Sequence, residues 1–102
     1  MSIPKVSIPA VRYAVYTMPN CPDCKNAKDL LERKGFEKGK GYEEVTEFTP
    51  AELIAMVGPV RSLPQFVMYD LLTDPVTAFH VGGYKDLTKL MSGDLTSLRK
   101  IG

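Results

Sequence analysis

The hydrophobic patterning predicts an α/β domain, a four-stranded mixed β-sheet flanked by helices on both faces. Three observations carry this. A β-rich run, Val11–Thr17, is followed by a helical pattern and then a second β-rich run, the order of a βαβ crossover and hence of two parallel strands. Two later runs, Pro64–Tyr69 and Val76–Val81, are separated by so short a connection around Asp74-Pro75 that they must pair antiparallel. Helical spacing resumes between these units and after the second, which supplies cover for the sheet.

Taken in order, residues 1–10 carry Pro4 and Pro9, which interrupt a ladder, and are expected to be an extended lead-in. Arg12–Thr17 has the composition of a central strand covered on both sides. From Pro22 to about Lys34, Ala27, Leu30 and Leu31 recur at helical spacing in register with Cys24, with Lys25, Lys28, Arg33 and Lys34 largely on the wet side. Gly35 is expected to end that helix. Phe36–Gly41 reads as a turn and Tyr42–Phe48 as the second strand. Thr49, Pro50 and Glu52 spell an N-cap, a first helical position and a capping box. That helix should run to about Val57, stop at Gly58-Pro59, and turn Leu53, Ile54 and Val57 to the sheet. After the hairpin, Gly82-Gly83 breaks the strand and Tyr84 to about Met91 has helical spacing through Leu87, Leu90 and Met91. A last short helix is expected over Asp94–Ile101, packed by Leu95, Leu98 and Ile101.

The 102 residues suit one domain, 1–102, of which 44% are hydrophobic and 25% charged. Thirteen basic and twelve acidic residues give a net charge of +1, with no basic face to attract nucleic acid. No apolar run reaches membrane-spanning length, and the N-terminus lacks the pattern of a secretory signal. A cytoplasmic location is the expectation, and there a cysteine pair is more often catalytic than a permanent crosslink.

The two cysteines of the chain stand in Cys21-Pro22-Asp23-Cys24, between the first strand and the first helix. Only a thiolate attacks a disulfide, and an ordinary thiol with a pKa of ~8.5 is only slightly ionised at neutral pH. The open N–H groups and dipole of a helix N-terminus favour the anion there. Pro22 at the first helical position loses no hydrogen bond. Cys21 is thus the candidate nucleophile, and Cys24, one turn further in, the candidate resolving thiol. Two other readings compete. Zinc would find at most three soft ligands even with the single His80. A purely structural bridge would close too short a loop to restrict the unfolded chain much.

Three segments together resemble the glutaredoxins of the thioredoxin-fold superfamily. They are Cys21-Pro22-Asp23-Cys24 with Ala27-Lys28 behind it, Arg61-Ser62-Leu63-Pro64, and Gly82-Gly83-Tyr84-Lys85-Asp86-Leu87, within Val11–Met91. The resemblance implies a thioredoxin-like fold and a cis Leu63–Pro64 bond that leaves the Leu63 main chain to pair with an extended substrate. It also implies glutathione as reductant and co-substrate, with no bound cofactor or metal. Its γ-glutamyl end would lie at the helix after the double glycine, where Gly83 allows close approach, Lys85 offers a backbone N–H and Asp86 receives the ammonium group. Met18 stands where the family often has lysine, so either Arg61 or Lys28 takes over the glycyl carboxylate or glutathione binds weakly. Asp23 replaces a common tyrosine and is expected to raise the Cys21 pKa by like-charge repulsion.

The resemblance therefore implies a monomeric thiol:disulfide oxidoreductase acting on disulfide-containing proteins, ribonucleotide reductase being a family-typical target, and on glutathione mixed disulfides. The alternatives are a donor recycled by a flavoprotein reductase, and a non-catalytic module binding a partner or a shared iron–sulfur cluster through Cys21. Thioredoxin itself matches less well, since the chain has no tryptophan. His80 and the aromatics Tyr13, Tyr16, Phe66 and Tyr69 are read first as structural residues.

Overall fold

The computed structural model describes residues 11–18, 21–60 and 62–101; the lead-in 1–10 and Arg61 lie outside them. Among the described residues, five strands form one sheet in the order β2-β1-β3-β4-β5, with three helices. The strands are β1 (Val11–Tyr16), β2 (Tyr42–Val45), β3 (Gln65–Asp70), β4 (Thr77–Gly82) and β5 (Arg99–Lys100). The helices are α1 (Pro22–Arg33), α2 (Pro50–Val57) and α3 (Tyr84–Met91). As expected from the crossover and the hairpin, β1 pairs parallel with β2 and β3 antiparallel with β4.

The expected four-stranded sheet is corrected to five, and the expected tail helix to a strand. Arg99 and Lys100 pair with His80 and Phe79, and Ile101 N–H donates to Ala78 C=O at 2.9 Å. β4 would otherwise present an open edge of donors and acceptors, and that demand outweighs the weak helical spacing of a short segment. Asp94 instead accepts from the Thr96 N–H at 3.0 Å, closing a local turn, while Leu95 and Leu98 still pack on the core. β2 is also shorter than the expected Tyr42–Phe48.

Alternation along β1 and β3 sends Val11, Tyr13, Val15, Phe66 and Met68 to one face, where they meet Ala27 and Leu31 of α1 and Leu87 and Leu90 of α3. Each fully buried aliphatic or aromatic side chain here contributes roughly 1.5–3 kcal/mol relative to exposure. The other face carries Ala14, Tyr16 and Val67 and is covered by α2, with Tyr16 Oη 3.7 Å from Met56 Sδ and its ring edge-on to Phe48. Of the α2 residues expected to face the sheet, Leu53 is buried, but Ile54 is 42% exposed. At 100° per residue Ile54 lies well around the helix from Leu53, and an eight-residue helix buries only a narrow stripe.

Helix ends follow the sequence. α1 closes with a Schellman turn in which Gly35 N–H donates to Glu32 C=O and Phe36 N–H to Leu31 C=O, both at 3.0 Å. Gly35 has φ 96°, a left-handed conformation that suits glycine. At α2, Thr49 Oγ1 accepts from Glu52 N–H at 3.1 Å and Glu52 Oε1 from Thr49 N–H at 2.7 Å, the expected capping box.

Candidate active site

Cys21 is the N-cap of α1 and Pro22 its first helical residue, so the strand-to-helix turn places one sulfur at the helix mouth. Cys24 N–H donates to Cys21 Sγ at 3.2 Å, one of the orphan donors that favour negative charge on that sulfur. The two cysteines are joined in a disulfide, with Cα atoms 5.2 Å apart. Cys21 is partly exposed whereas Cys24 is 2% exposed, so an incoming thiolate reaches Cys21 and not Cys24. Among the described residues no cluster of acidic, histidine or cysteine side chains could hold a metal, and no helix is long and apolar enough to cross a membrane.

The Leu63–Pro64 peptide is cis, and Cys21 Sγ lies 3.8 Å from Leu63 C=O. Among the described residues, no partner is found for the Leu63 N–H. The family resemblance assigned Leu63, Pro64, Gly83, Lys85 and Asp86 to one ligand, and they line one groove of about 570 Å³ together with Asp23. Gly83 sits 3.6 Å from Pro64 C=O as measured from a Cβ placed on it, so the start of α3 and the Pro64 loop are in close approach. Asp86 accepts from Gly83 N–H at 3.1 Å. A Cβ on Gly82, whose φ is 118°, would run into the Asp86 carboxylate, so Gly82 is needed for that placement.

A second hollow of about 550 Å³ opens on the β2 side of the disulfide, lined by both cysteines, Met18, Lys25, Lys28 and Glu44. Lys28 is committed there to Glu44 at 2.7 Å, and Lys38 reaches the same carboxylate at 3.1 Å. Hydrogen bonds from Lys28, then Lys38, hold the Glu44 carboxyl below its usual range. The assignment of Lys28 to a glycyl carboxylate is thereby weakened, because that ligand would compete with a bond already made. Arg61, the other candidate, lies outside the described residues.

Sequence reading missed Glu44, whose spacing on a short edge strand carries no chemical signal, and Gln65. Gln65 is 6% exposed; its Nε2 donates to Ser62 C=O at 3.0 Å and its Oε1 lies 2.8 Å from His80 Nε2. Burial pushes the His80 pKa down, partly countered by Asp86 and reinforced by Arg99. The alternation of Gln65 and Val67, with His80 opposite Val67, was the available signal.

A dithiol at a helix mouth, opposite a cis-proline loop and beside a glycine-opened helix start, defines a redox protein of thioredoxin-like fold. The glutaredoxin family model matches residues 14–70. A solved relative, the solution structure of glutaredoxin from Brucella melitensis, is 31% identical over 86% of this chain and 87% of that chain, with a TM-score of 0.52. No curated protein matches the chain. The chain belongs to the glutaredoxin family, and family and fold support thiol–disulfide oxidoreductase activity.

Proposed function

We propose that the chain is a glutathione-dependent thiol–disulfide oxidoreductase working through the Cys21–Cys24 pair. The observation that carries this is the sulfur of the partly exposed Cys21 at the mouth of α1, 3.8 Å from the carbonyl of Leu63, which lines one groove with Asp86. In the reduced protein the Cys21 thiolate attacks a substrate disulfide, forming a mixed disulfide and expelling the substrate's other sulfur as a thiolate that takes a proton. Cys24 then attacks Cys21 Sγ, releasing the second substrate thiolate and leaving the bridge. One glutathione thiolate opens the bridge at Cys21 and frees Cys24. A second removes the first as oxidised glutathione, regenerating the Cys21 thiolate.

The glutathione main chain would pair with Leu63 as a short added strand, and its ammonium would meet Asp86. Lys85 N–H belongs to the first turn of α3, where backbone donors have no helical acceptor and suit a carboxylate. Protein disulfides, with ribonucleotide reductase as one target, and a cytoplasmic setting complete the proposal.

The test is reduction of a glutathione mixed disulfide, with glutathione as reductant, by wild type, Cys21→Ser and Cys24→Ser. Loss of activity with Cys21→Ser and survival with Cys24→Ser is the expected outcome. A wild type inactive with glutathione but active on a protein disulfide when fed by a flavoprotein reductase would overturn the glutathione site.

A further inference from the structure

We infer that Gln65 and His80 are positioning residues, a two-link hydrogen-bond chain that holds Ser62 and so presents the Leu63 main chain to a peptidic disulfide bound at Cys21. The inference deepens the substrate pairing proposed above and rests on it. Ser62 C=O can only accept, so the group 3.0 Å away is the Gln65 amide N–H. That orients the Gln65 carbonyl oxygen toward His80 at 2.8 Å, which in turn requires the proton on His80 Nε2. The chain thus runs in one direction, from the His80 N–H through Gln65 to the Ser62 carbonyl.

Its placement connects the two walls of the groove. Gln65 directly follows Pro64, and His80 stands two residues before Gly82-Gly83, which starts α3. A Cβ on Gly83 would lie 4.0 Å from Gln65 Nε2, so the amide sits between the loop and the glycine turn. Residues 58–60 and 62–64 belong to no helix or strand, so no ladder orients them, and the bond to Ser62 C=O supplies a restraint that regular structure does not. Gln65 being 6% exposed, loss of the His80 donor would leave a buried amide oxygen unsatisfied, and the amide would turn to seek another partner.

The experiment feeds wild type, His80→Leu, His80→Gln and Gln65→Glu with dithiothreitol. Each is given oxidised glutathione, a disulfide-linked dimer of an extended pentapeptide, and bis(2-hydroxyethyl) disulfide, which has no main chain to pair. With His80→Leu, KM for both peptidic disulfides should rise about fivefold, the equivalent of one hydrogen bond of ~1 kcal/mol, with kcat unchanged. The rate on bis(2-hydroxyethyl) disulfide should stay at the wild-type value. His80→Gln, which keeps an N–H donor, should restore most of the affinity. Gln65→Glu, which can accept from His80 but cannot donate to Ser62, should match His80→Leu. Equal loss on all three substrates, no loss on any, or failure of His80→Gln to restore would overturn the inference. A rise confined to the pentapeptide, with oxidised glutathione a poor substrate of wild type, would uphold the positioning role and overturn the glutathione reading alone.

Discussion

The disulfide lies between two hollows of nearly the same volume, about 570 Å³ on the α3 side and about 550 Å³ on the β2 side. On the α3 side the polar groups are main-chain donors at a helix start and a carboxylate oriented by Gly83 N–H at 3.1 Å. On the β2 side Lys28 and Lys38 are both bound to Glu44, while Lys25, which also lines that hollow, makes no ion pair among the described residues. Volume therefore does not distinguish a ligand groove from a surface recess. What differs is the kind of group each side offers: Lys28, on the helix that carries the disulfide, must give up its bond to Glu44 to take a ligand, whereas the first-turn donors of α3 have no helical acceptor to give up.

The largest test of that contrast is Gly82→Ala. With φ at 118° and the Asp86 carboxylate in the way, alanine should cost more than ~1 kcal/mol of stability and misplace Asp86. Chemical denaturation and KM for glutathione mixed disulfide would both report it, and wild-type values for both would contradict the account. Next is Asp86→Asn, which keeps an acceptor for Gly83 N–H but loses the charge. A charge-assisted bond of ~1.5–3 kcal/mol predicts KM for glutathione substrates up by about ten- to hundredfold, with kcat little changed.

On the other side, Glu44→Gln should release Lys28 and Lys38 toward the disulfide hollow. Because the pair is partly exposed, KM for an anionic disulfide should fall by less than about fivefold, and the gain should vanish in high salt. Asp23→Tyr, at the α3-side rim, should lower the Cys21 pKa, read from the pH dependence of its alkylation. An unchanged or higher pKa would show that Asp23 does not act on the thiolate.

The smallest effect concerns pH. Burial lowers the His80 pKa in the fold, with Asp86 and Arg99 the charged groups facing it, so the folded state binds the proton less readily than the unfolded chain. The stability this represents is complete above the unfolded value of about 6.5 and is lost as pH falls through the lower folded value. Between about pH 7 and pH 5 the Tm of wild type should drop more than that of His80→Gln. Parallel curves would show that His80 protonation is not linked to folding.

The βαβ crossover, the hairpin, the capping box at Thr49 and the Schellman glycine at Gly35 were legible because each depends on neighbours in sequence, through periodicity or a fixed backbone conformation. So was the dithiol, whose chemistry follows from two residue types at the start of a helix. The tail was misread as a helix because its deciding partner, the open edge of β4, is distant in sequence. Ile54 was misplaced because apolar spacing on two helical turns does not say how wide a stripe the sheet will bury.

Local sequence by itself determined the element types from β1 through α3, the caps and the cysteine placement, since these arise from backbone sterics and interactions within a few residues. Resemblance to the family brought Leu63, Gly83, Lys85 and Asp86 to one ligand, and the tertiary structure placed them around one groove. Only the tertiary structure decided that Lys28 is taken by Glu44, that the C-terminal residues complete the sheet, and that Gln65 joins His80 to the Ser62 carbonyl. Those are contests among polar groups brought together by packing, and which bond wins depends on distances that no one-dimensional spacing encodes.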